Sequence, residues 1–195
     1  MNVAKDGRRR KVPALLVLDM INLFDFPGGA ALATAARRIT PALVRLRGRF
    51  DHVGAPVIHV NDNFSQWRGE FGDLVAACVD AGGAACAIAT QLAPQAHHYH
   101  VLKPKHSAFA CTALPVLLGK LGVNRLVITG IAADSCVLAT AQDANMREYA
   151  LWVPSDCVAS QHPARRRNAL SLLARSINAR TLASNRVQGL FPEDG

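Results

Sequence analysis

The chain has 195 residues, 50% of them hydrophobic, the size of one compact domain with a sizeable core. No run approaches 18 uninterrupted apolar residues, and the basic stretch 5–11 is followed only by the strand-length apolar run 14–18, so the expectation is a soluble protein without a spanning helix or a cleaved signal. A formal net charge of +8 raises nucleic-acid binding, but five of the 22 basic residues lie in 5–11, three form Arg165-Arg166-Arg167, and others punctuate a helical pattern over 37–49. That is a distribution of solvated faces rather than one phosphate-reading surface, and it does not coincide with the candidate site below.

In chain order, residues 1–11 read as a basic, flexible tail, because nothing in them could bury an apolar face. A strand is predicted over 14–20. A helix follows over 30–50, with Leu32, Ala36, Ile39, Leu43 and Leu46 at spacings of three and four. The second strand spans 56–61. Residues 61–83, with Trp67, Phe71 and two adjacent glycines, read as a loop facing the active site plus a short helix. A strand over 99–103, a helix over 112–121 ending before Gly122, a strand over 125–130 and a helix over 134–147 come next. The pattern closes with a strand over 150–154, a helix over 163–176 with Pro163 in its first turn, and a sixth strand over 181–183. The strands are continuously apolar rather than alternating, as when helices cover both faces of a parallel sheet. The prediction is a three-layer α/β/α, doubly wound, mainly parallel six-stranded sheet with right-handed crossovers, forming a single domain over 12–195.

The cysteines (Cys78, Cys86, Cys111, Cys136 and Cys157) are odd in number and lack a CxxC pair, which suits reduced thiols in a cytoplasm better than a disulfide framework. Most read as small buried hydrophobes.

In open α/β sheets ligands bind beyond the carboxyl ends of the strands, where the strand order reverses. Three reactive residues are predicted there. Asp19 ends the first apolar run, Lys103 ends the third, and Cys136 follows the fourth within Gly130-Ile131-Ala132-Ala133-Asp134-Ser135-Cys136. Singly they are weak signals: Asp19 reads equally well as a cap or turn residue, and Cys136 also suits a buried helical cysteine. Cys136 is the more telling, because in a first helical turn the unsatisfied N–H groups and the helix dipole favour an anion and lower a thiol's pKa. Together the three make chemical sense: a carboxylate takes the thiol proton, an ammonium balances charge, and sulfur attacks an electrophilic carbon.

These residues resemble the signature of the isochorismatase-like cysteine hydrolase superfamily, which includes nicotinamidases and N-carbamoyl amidohydrolases. The resemblance covers nearly the whole chain through LLVLDMINLF at 15–24, VLKPKHSAF at 101–109, LVITGIAADSCVLATAQDA at 126–144 and VPSDCVAS at 153–160. It implies the Rossmann-like fold of that superfamily, with Asp19 as general base, Lys103 as its partner and Cys136 as nucleophile. Lys105 is a second lysine candidate, but Pro104 and the family spacing to Ser107-Ala108-Phe109 favour Lys103. The likeness also implies a cis peptide between Ile131 and Ala132 and an oxyanion hole made by the N–H groups of Ala132 and Cys136. Asp134, Thr140 and Asp143 match family positions and read as helix-start and helix-packing residues.

Nicotinamidases of this family carry an aspartate and histidine cluster after the second strand that binds a divalent metal. Here that stretch, 59–67, offers His59 and Asp62 with no further histidine until His97, so neither a metal nor another cofactor is expected. His97, His98 and His100 cluster in sequence without a cysteine or carboxylate spaced to complete a ligand set. Isochorismatases proper act on an enol ether and lack the nucleophilic cysteine, so Cys136 favours cleavage of a C–N bond in a small amide or carbamoyl compound. Asn61, Phe64, Trp67 and Phe109 are the candidate pocket wall. The competing expectations are a catalytically silent member that acts as a binding or assembly module, and a hydrolase of another small substrate such as an enol ether. The expected partners are a small-molecule substrate and further copies of the chain, as dimer or tetramer, with apolar surface near 170–173 to cover; no membrane or specific nucleic acid is expected.

Overall fold

In the computed structural model residues 12–62 and 68–193 are described. The expected tail 1–11 and the pocket candidates Phe64 and Trp67 lie outside them. Six parallel strands form one sheet: β1 (Pro13–Leu18), β2 (Val57–Asp62), β3 (Tyr99–Lys103), β4 (Arg125–Ile131), β5 (Ala150–Trp152) and β6 (Val158–Ala159). The order is β3-β2-β1-β4-β5, and β6 pairs with the far end of β4, at Gly130 and Ile131, beyond the point where β5 stops at Val127. From β1 the chain winds outward through β2 and β3, then returns to β4 on the other flank of β1 and winds the opposite way. The reversal places the crevice at the carboxyl ends of β1 and β4.

Helices α1 (Gly29–His52), α2 (Phe71–Asp80) and α3 (Gly83–Leu92) cover one face, and α4 (Leu114–Lys120), α5 (Leu138–Met146) and α6 (Pro163–Ser176) cover the other. Strand parity sorts the core accordingly. Leu15, Val17 and Val57 bury against α1–α3, while Leu16, Leu18, Ile58 and Val60 bury against α4–α6. Burial on both faces is what removes the apolar–polar alternation from the strand sequences. Among the described residues no helix is long and apolar enough to cross a membrane.

The fold corrects three expectations. Residues 181–183 are not a strand; only a single bridge joins Trp152 to Arg180 there, and the sixth strand is the two-residue β6, too short for periodicity to reveal. Helix α3 was unexpected, because Ala-rich 83–92 carries little polar contrast between its faces. The 134–147 helix opens as a π-helical turn, Ala133–Val137, before α5 begins. Of the apolar stretch near 170–173, Leu173 is buried in the core and Leu172 is exposed.

One glycine is required by the join between β1 and β4. Gly130 has φ +104°, and a Cβ there would meet the Leu18 carbonyl oxygen at 2.1 Å, backbone that cannot move aside without breaking the ladder. Gly130→Ala is therefore expected to cost about 3 kcal/mol or more in urea unfolding; a variant as stable as its parent would contradict this packing.

Candidate active site

The carboxyl ends of β1, β2, β3 and β4 converge on one cluster of charges. Asp19 follows β1 with a left-handed backbone, φ 52°, which turns its carboxylate in over the sheet end. Its Oδ1 accepts the Asp62 backbone N–H at 2.8 Å, at the last residue of β2. Lys103, paired in register with Asp62, ends β3. Two strand spacings, roughly 9–10 Å, separate β3 from β1, and the long lysine side chain crosses beneath the end of β2 to bring Nζ within 3.0 Å of Asp19 Oδ2. Cys136, in the π-helical turn after β4, places Sγ 3.4 Å from Lys103 Nζ. Asp19, Lys103 and Cys136 thus meet although 84 residues separate the first two. The Ile131–Ala132 peptide is cis.

Electrostatics within the cluster follow from burial. Lys103 has no exposed surface. Burial alone would lower its pKa, but Asp19, and then Cys136, push it up, so the ammonium stays charged. Burial raises the Asp19 carboxyl against the pull of Lys103, making it a better base than a solvated aspartate. The Cys136 thiol is pushed up to about 12, first by burial and then by the Asp19 charge, with Lys103 opposing. This reverses the expectation of a lowered thiol pKa. The start of the turn does not outweigh the loss of water and a neighbouring carboxylate, so the resting sulfur holds its proton.

A cavity of about 390 Å³ opens on this cluster, lined by Asp19, Asp62, Lys103, Ile131, Ala132 and Cys136 at its floor and by Asn22, Phe26, Leu32, His106, Asp134, Ser135, Gln161 and Arg165 around them. Neither Asn61 nor Phe109 lines it, which corrects the expected pocket wall. On β2 the side chains alternate, so Asn61 faces the α1–α3 side and its amide donates to the Ile21 carbonyl at 2.5 Å, while Asp62 takes the cavity side. Phe109 is buried in the other core, 6.0 Å from the Tyr149 ring. The basic run at 165–167 does touch the site. Arg165 Nε pairs with Asp134 Oδ2 at 2.5 Å and its Nη1 donates to Gln161 Oε1 at 3.0 Å. Asp134 Oδ1 also accepts from Ser160 Oγ at 2.6 Å, so Asp134 ties the π-helical turn to the segment leaving β6. The missed lining residues have a partial signal: Asn22 and His106 lie inside the motifs carrying Asp19 and Lys103, whereas Gln161 and Arg165 follow the unrecognised β6.

The two ligand-type residues at the end of the second strand, His59 and Asp62, part ways at the cavity. Asp62 lines it, but His59 points to the other face of the sheet, its Nε2 3.2 Å from His98 Nδ1. The histidine cluster does find a carboxylate, contrary to expectation, because Asp51 reaches it from the end of α1. Asp51, His97 and His98 hold ligand-type atoms within 4.8 Å of one another. Their hydrogen bonds account for the arrangement. His98 Nδ1 accepts the Gln95 backbone N–H at 3.0 Å, which leaves the ring proton on Nε2, donated to Asp51 Oδ1 at 2.8 Å. Such a ring has no lone pair at Nε2 to offer a cation. His100 packs against Phe71, ring centres 5.3 Å apart.

Comparison with known proteins places these features in context. The family model described as the isochorismatase domain matches residues 13–184. An isochorismatase family protein of Bacillus subtilis is 39% identical over 160 residues, 82% of this chain and 87% of the relative. A ureidoacrylate amidohydrolase of Yersinia enterocolitica is 27% identical over 162 residues, 70% of each chain. Among solved structures, an N-carbamoylsarcosine amidase from Thermoplasma acidophilum superposes with TM-score 0.69 at 26% identity, covering 91% of this chain and 99% of that one.

The buried histidine pair carries an acid-stability prediction. Burial, then His98, Arg47 and His100, lower the His59 pKa to about 3, against an ordinary value of 6.5. Folded His59 is neutral while the unfolded chain takes up the proton below 6.5, so stability falls as pH falls from about 6.5 to about 3, by up to about 1.4 kcal/mol per pH unit. His59→Leu should flatten that part of the profile of unfolding free energy against pH; an unchanged slope would show that His59 is not the acid-sensitive group.

Proposed function

The chain belongs to the isochorismatase family, and from that premise we propose that it is a hydrolase cleaving the C–N bond of a small amide or carbamoyl compound through a thioester on Cys136. One observation carries the reading: a thiol and a raised-pKa carboxylate both lie within 3.4 Å of one buried ammonium at the floor of a cavity sized for a small molecule. The ureidoacrylate amidohydrolase and the N-carbamoylsarcosine amidase among its relatives support an amide-type bond as the target.

The chemistry follows from where the protons sit. The substrate carbonyl carbon lies over Cys136 Sγ. As sulfur attacks, its proton passes to Asp19 and a C–S bond forms. The carbonyl oxygen becomes an oxyanion, which the N–H groups of Ala132 and Cys136 stabilise by hydrogen bonding. Collapse breaks the C–N bond, and Asp19 delivers its proton to the departing nitrogen. Water then attacks the thioester, Asp19 accepts a water proton, the C–S bond breaks, and sulfur recovers its hydrogen. Lys103 remains protonated throughout. It keeps Asp19 ionised in the resting state, and when Asp19 is protonated its charge is free to face the sulfur.

A thiolate formed only as proton transfer accompanies attack also suits a burial-raised thiol pKa. The nucleophile is unmasked by the substrate rather than stored as an anion.

Against a panel of amides, ureas and carbamoyl compounds, Cys136→Ala should lower kcat by about three orders of magnitude or more. Asp19→Asn should lower it by about 10²–10⁴-fold. Turnover of any of these compounds that survives Cys136→Ala would exclude the thioester route. Binding without turnover in the parent would make the chain a binding module.

A further inference from the structure

Cys136 has a polar neighbour that the three-residue scheme leaves out. His106 Nδ1 stands 3.7 Å from Cys136 Sγ and 3.3 Å from Ser135 Oγ, on the open side of the sulfur from Lys103 Nζ at 3.4 Å. The thiol owns one hydrogen, which the proposed reaction passes to Asp19. Every other polar group at the sulfur therefore meets a lone pair and can interact favourably only by donating. Lys103 has three hydrogens for the purpose. For His106 that condition is met by the tautomer with hydrogen on Nδ1.

The placement of this imidazole is built into the fold. His106 follows β3 on a loop whose next residues are fastened to α5. Ser107 Oγ donates to Asp143 Oδ2 at 2.8 Å, and the Ala108 backbone N–H donates to Thr140 Oγ1 at 3.0 Å. Arg147 completes the clamp. Its Nε donates to Asp143 Oδ1 at 2.9 Å, and its guanidinium lies 5.0 Å over the ring of the buried Phe109. Cys136, Thr140, Asp143 and Arg147 recur at intervals of four, three and four, so they share one stripe of the helix and the turn that precedes it. The helix that carries the sulfur is also the helix that fixes the loop carrying the imidazole.

We propose that His106 is a further catalytic residue, whose Nδ1–H hydrogen-bonds the Cys136 sulfur as negative charge develops on it. This rests on the cysteine-hydrolase reading. When Asp19 takes the thiol proton, sulfur becomes the acceptor of two hydrogen bonds, from Lys103 Nζ and from His106 Nδ1. The same two donors receive it as the leaving thiolate when the thioester is hydrolysed. His106 gains and loses no proton and makes no bond to carbon.

The test is the rate at which iodoacetamide alkylates Cys136 at mildly alkaline pH, followed by peptide mass mapping and taken relative to Cys86 on α3. His106→Leu removes the donor and should slow Cys136 alkylation by roughly tenfold, the size expected of a hydrogen bond to a charged acceptor. His106→Asn carries an amide N–H one bond beyond Cγ, as Nδ1 is, and should recover most of the rate. A leucine variant that alkylates as fast as the parent, or an asparagine variant no faster than leucine, overturns the proposal. Alkylation needs no substrate, so either result is independent of whether Cys136→Ala still hydrolyses amides, which is the outcome that would remove the cysteine-hydrolase reading itself.

Discussion

A lysine ammonium with no exposed surface must be neutralised where it lies, and the site follows from how Lys103 meets that condition. Removing an ion from water costs several kcal/mol, and only a close, well-held counter-charge offsets it. Asp19 supplies that charge because three features coincide. The first is a left-handed residue at the end of β1, the second a backbone N–H from β2 that fixes Oδ1, and the third a register that brings Lys103 to the end of β3 beside Asp62. The pair therefore spans three strands and belongs to the sheet rather than to any one loop. Cys136 is added from the fourth strand, across the β1–β4 join that Gly130 allows.

The ion pair also decides what the sulfur is. A first turn of helix suggests a stored thiolate, yet burial penalises the anion and the neighbouring Asp19 charge adds to that. The consequence is a division of labour among the charges. In the proposed reaction Lys103 favours the ionised form of Asp19, Asp19 takes the thiol hydrogen, and the sulfur lone pairs face donors. His106 fits this scheme as a donor, and the stripe from Thr140 to Arg147 explains why its loop is held so firmly.

Much of this was legible in the sequence, for definite reasons. The five longer strands were recognisable because burial on both faces makes them uninterrupted apolar runs, and the reactive residues stood at the ends of those runs. β6 escaped because two residues carry no periodicity, and with it went Gln161 and Arg165, which line the cavity just beyond. Asn61 was misjudged by one step of the pleat: its neighbour Asp62 faces the cavity, while Asn61 turns to the opposite face and satisfies the Ile21 carbonyl. Phe109 looked like a pocket aromatic by its nearness to Lys103, but its loop is drawn inward by α5. Asp51 illustrates a further limit, since a carboxylate from α1 meets His98 only through the tertiary packing of α1 beside the strand-3 approach.

The central claim is that Cys136 forms a covalent bond to the acyl part of its substrate, and intact-mass measurement of enzyme quenched in acid during turnover tests it most directly. The account predicts an added mass equal to the acyl or carbamoyl fragment, mapping to the peptide that contains Cys136. Sustained hydrolysis with no adduct under rapid quench, or an adduct on any other residue, would contradict it.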